Sequence, residues 1–382
     1  MYYLITEQLV HLAEEAGEDH EKALTALDFL DLASLLGKHF VCAENSSLFD
    51  RIIKLKPHAK CFRELRNNFS FIYSIGSTYH WHAEFLPGNT PSRIDEELET
   101  VFISLSELSR FEIYRETQLL GENLSDVRFY EIVLKFYKVV HGVEKTRSCF
   151  HPLLGGGHTT ALVYRYECDN PTSFILCLAD SDFKYCGAAL GDTAKEIQKV
   201  YGYKTQPPFN GYYYFIERAR EVENLIPLSI YKEYAKRPQT GASNRVDKIS
   251  DLFTVAPALA PFFDMKDGVS LYTLLNHDSL DPILNEIKKI IPNIEKRVED
   301  DISQLEASKP GIKGESRKEE MKKIHYIDGL GSRILENILS CFDQDSILEG
   351  MIQNSNTFQT NEYERIGQLV YDWTASTDRK RI

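Results

Sequence analysis

The chain has 382 residues, of which 43% are hydrophobic and 26% are charged. This composition is typical of a folded globular protein and excludes wholesale disorder, and the length provides for two or three domains. A count of 44 Lys and Arg against 57 Asp and Glu gives a net charge of −13. That charge argues against a strongly basic duplex binder, but not against a nuclease that carries a metal ion.

The beginning of the chain lacks the basic residues of a secretory signal. No apolar run approaches the roughly 20 residues that a membrane span needs, and the longest clean run covers residues 174–179. The seven cysteines are scattered and form no CxxC pair, which favours free thiols in a reducing compartment. We therefore expect a cytoplasmic protein that does not associate with membranes.

The first segment, residues 1–108, has apolar residues at helical spacing over 8–16 and 22–36. A short strand candidate begins at Lys38, and the acidic stretch 93–108 is predicted to be an amphipathic helix. We expect a mostly helical accessory region with a strand or two. Partner docking, substrate recognition and oligomer contact all remain open as its role.

The middle segment, residues 109–240, alternates strands with helices, which predicts an α/β unit with a central parallel sheet flanked by helices. Predicted strands end near Leu120 and cover 147–154, 173–179 and 212–216. Predicted helices cover 126–140, 158–167 and 192–201, and a further helix is predicted to begin near Glu221. The strand at 173–179 is apolar on both faces, as in the centre of such a sheet.

The last segment, residues 241–382, is predicted to be helical. Amphipathic patterns cover 282–291 and 294–305, a final helix is expected over 362–375, and a basic tail follows Asp378.

Carboxylates follow several of the predicted strands. Glu122 follows the first, Asp180 and Asp182 follow the third, and Glu223 lies beyond the next. Because the carboxyl ends of parallel strands meet at one edge of a sheet, we expect these side chains to converge there. Carboxylate oxygens suit Mg²⁺, and paired cations could assist phosphodiester cleavage.

Two of these segments resemble the motifs of the TOPRIM domain of topoisomerases, bacterial primases and OLD-family nucleases. Residues 119–130 resemble its first motif, a strand followed by Glu-Gly-x-Ser/Thr-Asp and a helix, with Asn123 in place of the glycine. Residues 174–182 resemble its second motif, an apolar strand that ends in Asp-x-Asp. The resemblance covers about residues 110–230 and implies a TOPRIM-like sheet.

Within that family, the chain resembles stand-alone, OLD-like nuclease effectors that work beside an ABC-type ATPase in phage defence. The similar features are the glycine turn at 155–157, the Glu-Asn-Leu-Ile step at 223–226, and a Phe-x-x-Lys-x-Gly pattern that contains Lys266. The resemblance implies that Glu122 is a general base or metal ligand and that Asp180 and Asp182 are the main ligands of Mg²⁺ or Mn²⁺. It also implies a second metal site with Asp126 and Glu223, and a Lys266 that neutralises charge on the scissile phosphate.

Each of these residues also has an ordinary structural interpretation. Glu122 could be a solvent-facing loop acid, and Asp180 and Asp182 could cap helices in a nucleotide-binding fold. Asp126 could be only the N-cap of its helix, with Ser125 as the competing residue. Glu223 could be an acid in the first turn of a helix, and Lys266 could be solvated.

We expect from this resemblance a metal-dependent endonuclease that cuts tRNA or DNA as a toxic effector in antiviral defence, controlled by an ATPase partner. A homodimer is one assembly that the sequence leaves open. The alternative is a non-catalytic interaction or scaffold subunit of a nucleic-acid-processing complex. Primase or topoisomerase chemistry is disfavoured, because the sequence has no zinc-ribbon cysteine pattern and no obvious tyrosine strand-passage domain.

Overall fold

The structure is a computed structural model that describes residues 1–202, 207–275 and 287–378. It is an α/β protein with one wholly parallel and one mostly parallel sheet. The chain divides into two compact units. The first unit contains Met1–Ala179, Asp192–Phe215 and Tyr363–Ile382, and the second contains Asp180–Gly191 and Ile216–Glu362. The predicted segment boundaries near residues 108 and 240 stay predictions.

The first sheet of the first unit has five strands in the order β2-β1-β3-β5-β4. All its pairings are parallel except that of β4 with β5. Its strands are β1 (Tyr2–Ile5), β2 (Phe40–Ala43), β3 (His82–Leu86), β4 (Arg93–Asp95) and β5 (Thr100–Ser104). The accompanying helices are α1 (Glu7–Glu14), α2 (His20–Leu36), α3 (Ser46–Leu55), α4 (Lys60–Asn67) and α5 (Phe69–Gly76).

The prediction of a helix over residues 93–108 is wrong. This stretch forms β4, β5 and a short 3-10 turn at Leu105–Ser109. Its β-branched and aromatic residues between 100 and 104 pair with β3 on one side and β4 on the other. Between the strands, Asp95 accepts a hydrogen bond from the Leu98 amide at 3.0 Å, and Glu99 has φ = 50°. This local turn breaks the helical path, and the N-terminal sheet is larger than the strand or two expected.

The second sheet of the first unit has four parallel strands in the order β10-β9-β6-β8. They lie where the sequence predicts strands, except that only 150–154 of the predicted strand 147–154 belongs to this sheet. These strands are β6 (Thr117–Gly121), β8 (Phe150–Leu154), β9 (Ile175–Ala179) and β10 (Gly211–Phe215), and the connecting helices are α6 (Leu124–Val140), α7 (Thr160–Asp169) and α8 (Asp192–Gly202). A short strand β7 (Arg147–Ser148) pairs with β13 (Ala375–Ser376), which follows the last helix α16 (Thr357–Trp373).

Strand β9 is the centre of this sheet. All five of its residues are buried, and it pairs with β10 on one side and β6 on the other. Cys177 of β9 and Leu120 of β6 belong to a core with Tyr164 of α7 and Ile197 of α8. The predicted central strand is therefore confirmed, and the carboxyl ends of β6 and β9 lie at the same edge of the sheet.

The second unit is mainly helical and carries one small antiparallel pair of strands, β11 (Gly268–Ser270) and β12 (His325–Asp328). The helices described in it are α9 (Leu228–Ala235), α10 (Ser243–Val255), α11 (Leu271–Leu275), α12 (Ile294–Ser308), α13 (Gly314–Lys322), α14 (Ile334–Cys341) and α15 (Gln344–Asn354). The prediction of a helix over 294–305 is confirmed by α12. Residues 282–286 of the other predicted helix, and the basic residues 379–382, lie outside the described residues.

No helix within the described residues is both long and apolar enough to cross a membrane.

The core of the second sheet gives a direct test of this packing. Leu120 is fully buried, so Leu120→Ala is expected to lower the free energy of unfolding by about 3 kcal/mol, through lost apolar contact and the cavity that remains. Leu162→Ala on α7 removes the same atoms from a residue that is 60% exposed. This control should change the free energy of unfolding by less than about 0.5 kcal/mol. Chemical denaturation followed by circular dichroism measures both, and similar losses would contradict the packing described.

Candidate metal centre

Three carboxylates meet in the second unit. Oxygen atoms of Asp180, Glu221 and Glu223 all lie within 4.8 Å of one another. Glu221 and Glu223 are only 4% and 3% exposed, and Asp180 is half-buried. Like charges this close in a buried place repel each other, so the cluster needs a compensating positive charge or a bound proton.

The local chain path explains how the three side chains meet. Asp180 directly follows the last residue of β9, and the two glutamates flank Val222 at the start of a 3-10 turn, Val222–Leu225. The backbone amide of Val222 donates a hydrogen bond to Asp180 Oδ1 at 2.9 Å. Asp180 is therefore fixed against the backbone between the two glutamates.

Asn224 holds this turn in place with its side-chain amide. Its Nδ2 donates to the carbonyl oxygens of Ala260 at 3.0 Å and Phe263 at 2.8 Å, and its Oδ1 accepts from the Glu221 amide at 3.2 Å. The backbone on which both glutamates sit is therefore anchored to a neighbouring segment.

Lys266 supplies a positive charge to the cluster. Its Nζ lies 3.0 Å from Glu221 Oε2 and 3.1 Å from Glu223 Oε2. Its carbonyl oxygen accepts a hydrogen bond from the Gly331 amide at 2.9 Å. A Cβ on Gly329 would lie 2.3 Å from that same oxygen, so this close approach requires glycine.

The cluster changes the acidity of its own members. Burial, followed by the charge of Glu223, raises the pKa of Glu221 from its ordinary 4.5 to about 8. Burial by itself lowers the pKa of Lys266. The negative charges of Glu221, Glu223 and Asp180 outweigh this effect, so the pKa of Lys266 lies well above its usual range. Lys266 is therefore positively charged at neutral pH.

The donor set suits a hard divalent cation such as Mg²⁺ or Mn²⁺, because all three side chains offer carboxylate oxygens. With every group ionised, three negative charges against one lysine leave an excess of two negative charges. Glu221 Oε1 is also buried without a hydrogen-bond partner in the part of the chain that the structure describes. An oxygen in this condition needs either a proton or a cation, so the residues present fit a divalent metal.

The structure brings together three of the residues that the sequence singled out, namely Asp180, Glu223 and Lys266. Sequence reasoning missed Glu221. The available signal was the Glu-x-Glu spacing of 221–223, which has the same form as the Asp-x-Asp of 180–182. The expected helix start near Glu221 is instead the short 3-10 turn.

Asp182 is not among the three carboxylates of the cluster. It has φ = 57°, and its amide donates to the carbonyl oxygen of Arg220 at 3.0 Å. A Cβ on Gly191 would lie 2.2 Å from Asp182 Oδ2, so its side chain rests on that glycine. Its part as a metal ligand stays a prediction.

Glu122 and Asp126 belong to the first unit. The N-cap of α6 is Asn123, rather than Ser125 or Asp126, and Asp126 Oδ2 accepts from the Asn123 amide at 2.8 Å as the other half of a capping box. The Glu122 carbonyl accepts from the Gly156 amide at 2.9 Å. A role as metal ligand remains a prediction for both Glu122 and Asp126.

Neither a protein-family model, nor a curated protein, nor a solved structure matches the chain. The likeness to TOPRIM proteins therefore rests on the residues of the two motifs alone.

The raised pKa of Glu221 predicts a pH dependence of stability in the metal-free protein. The folded state keeps a proton on Glu221 that the unfolded state loses above about pH 4.5, so this stabilisation is complete below that pH and is lost as pH rises through about 8. Glu221→Gln cannot titrate. Between about pH 5 and pH 9 the wild type should therefore lose more of its free energy of unfolding than the Glu221→Gln variant. The difference between the two losses should be at least about 1.4 kcal/mol.

Urea denaturation in EDTA across that range measures the difference. Glu299→Gln is the control, because Glu299 is an exposed residue of α12. Identical pH profiles for Glu221→Gln and the wild type would contradict the raised pKa.

Proposed function

We propose that the chain is a divalent-metal-dependent nuclease that hydrolyses phosphodiester bonds of RNA or DNA. The observation that carries this proposal is the buried cluster of Asp180, Glu221 and Glu223 with Lys266 at its side. Sites with perturbed carboxylates and a fixed positive charge are where acid–base chemistry is expected.

A cation held by the carboxylates supplies Lewis-acid stabilisation and a more acidic bound water. The residues of the chain have separate tasks. Asp180 and Glu223 offer oxygen ligands fixed by the backbone around them. Glu221 offers the third oxygen ligand through Oε1, which is buried and has no hydrogen-bond partner among the described residues. Lys266 places a positive charge where negative charge develops on a phosphate.

The nuclease class in this proposal rests on the resemblance of residues 119–130 and 174–182 to TOPRIM nucleases. The defence role and the partner rest on the resemblance of residues 155–157, residues 223–226 and the pattern that contains Lys266 to effectors that work beside an ABC-type ATPase. On that basis the substrate is tRNA or DNA, and the enzyme is a toxic effector of antiviral defence controlled by an ABC-type ATPase. A net charge of −13 supports the need for a partner, because a protein this acidic attracts nucleic acid weakly over its surface as a whole.

A scaffold subunit without catalysis is the second candidate. It is favoured by the two contacts of Lys266, which already compensate part of the acidic charge without any cation. In that case a protonated Glu221 completes the balance and the cluster only connects segments of the second unit. Calorimetric titration with Mg²⁺ or Mn²⁺ separates the two candidates, since the scaffold needs no metal.

Removing any one ligand tests the nuclease directly. Wild-type protein is expected to cut tRNA, single-stranded DNA or plasmid with Mg²⁺ or Mn²⁺, and to unfold at a higher temperature when the metal is present. Asp180→Asn, Glu221→Gln and Glu223→Gln should each lose at least about 100-fold in cleavage and also lose the thermal shift. Asp300→Asn on the exposed face of α12 is the matched control.

Folding of each variant is verified by circular dichroism. Cleavage that survives in Asp180→Asn and Glu223→Gln would contradict the proposal. Glu122→Gln, Asp126→Asn and Asp182→Asn in the same assay test the remaining ligands that the sequence predicts.

Lys266 gives a prediction of opposite sign for binding and catalysis. Lys266→Gln removes the positive charge beside Glu221 and Glu223, so metal affinity measured by calorimetry should rise. Cleavage should nevertheless fall by about 100-fold, because the charge on the phosphate is no longer neutralised. A variant that loses metal affinity together with activity would show that Lys266 only maintains the fold of the cluster.

A further inference from the structure

A second feature of the second unit is a cleft of about 360 Å³. Its lining includes charged and hydroxyl-bearing residues: Lys184, Arg220, Asp264, Ser270, Thr273 and Lys322. This size is in the range of pockets that bind small ligands. None of the residues of the metal cluster lines it, so its chemistry needs an explanation of its own.

Arg220 is the fixed positive charge of this cleft. Its Nη2 contacts Asp264 Oδ2 at 2.6 Å, its side chain is only 18% exposed, and its amide donates to the Pro261 carbonyl at 2.8 Å. Its Nε is buried and has no hydrogen-bond partner within the described ranges. A buried N–H group of this kind is expected to have a partner, and an oxyanion would supply one.

The charges of the cleft favour an anion. Lys184, Arg220 and Lys322 carry positive charge, against Asp264 and Asp267. Lys322 Nζ also lies 2.9 Å from Glu319 Oε1, but this ion pair is exposed and therefore contributes little energy that a phosphate would have to replace. The Asp264 carboxylate is already occupied, because besides Arg220 it accepts hydrogen bonds from the amides of Lys266 at 3.1 Å and Asp267 at 2.7 Å. Arginine, lysine and hydroxyl donors together are the groups that recognise phosphate in proteins.

The cleft lies beside the metal centre, because the charges of Arg220 and Asp264, which line the cleft, act on Glu221 of the cluster. Arg220 lines the cleft and the next residue, Glu221, belongs to the metal cluster. In the same way Asp264 lines the cleft, and Lys266, two residues later, contacts the cluster. A ligand that carries phosphates at regular intervals could therefore place one in each.

We propose that this cleft binds a phosphate group of the nucleic-acid strand next to the phosphate that is cut, a proposal that rests on the nuclease function above. Arg220, Lys184 and Lys322 supply the charged donors. The hydroxyls of Ser270 and Thr273 are hydrogen-bonded to each other at 3.0 Å, which leaves one O–H of the pair to donate to a phosphate. Contacts to phosphate position a strand without reading its bases. The cleft thus predicts binding that depends on salt but not on sequence.

The test is equilibrium binding in EDTA, so that it does not depend on metal or cleavage. A fluorescent single-stranded DNA or RNA oligonucleotide of mixed sequence is titrated with wild-type protein and with the double variant Lys184→Ala, Lys322→Ala. Lys195→Ala, Lys323→Ala is the matched control, since it removes the same charge from exposed lysines that do not line the cleft.

The cleft variant should bind about tenfold more weakly, and the slope of log affinity against log salt should become less steep by about 0.7 for each lost phosphate contact. The control pair should behave as the wild type. Equal losses in both pairs, or no binding by the wild type, would overturn the proposal.

A competition arm with AMP identifies the source of the phosphate. Binding of AMP that depends on Lys184 and Lys322, without such dependence for the oligonucleotide, would overturn the assignment to a nucleic-acid strand. Loss of cleavage in the metal-ligand variants with unchanged binding in EDTA supports both proposals. Normal binding by a wild type that never cleaves would leave the cleft in place and remove the nuclease.

Discussion

The ammonium group of Lys266 between two buried glutamates is the interaction on which the second unit depends most directly. Three carboxylates in so small a volume would repel one another, and one lysine compensates only part of their charge. The remaining imbalance must be met by a proton on Glu221 or by a cation. The cluster can therefore reach charge balance in two ways, and burial together with the charge of Glu223 raises the pKa of Glu221 and so favours the proton when no cation is present.

The surrounding structure keeps the carboxylates from moving apart to relieve this repulsion. The Val222 amide holds Asp180, and the carbonyl oxygens of Ala260 and Phe263 hold the turn through Asn224. Lys266 is held by its own backbone contacts next to Gly329. Such an arrangement is expected of a site that is preorganised for a ligand, because a flexible cluster would separate in its absence.

Much of the parallel sheet could be predicted because its signals are local. The apolar run at 174–179 predicts a central strand, and the rule that ligands bind at the carboxyl ends of strands places Asp180 at a site. The strand at Thr100–Ser104 is not predicted, because the acidic stretch 93–108 also has helical spacing. What stabilises this strand is its pairing with β3 and β4, and pairing of that kind leaves no local signal in the sequence.

The site was predictable only in part. Lys266 was identified from a family pattern, since nothing local distinguishes one lysine between two aspartates from a solvated one. Glu221 gives no signal as a single acid, because only the 3-10 turn brings both glutamates of the Glu-x-Glu beside the same aspartate. Which distant acids meet is decided by how the loops pack, and a single sequence does not encode that in a readable form.

Asn224 has a consequence for finding related proteins. Its side-chain amide donates two hydrogen bonds and accepts one. Aspartate could not donate these bonds, and glutamine would be too long. An apolar residue would leave two carbonyl groups without donors. The tetrapeptide Glu221-Val222-Glu223-Asn224 should therefore persist as a unit wherever this chemistry does. It offers a sharper signature for a search of distant genomes than the short aspartate pair after β9.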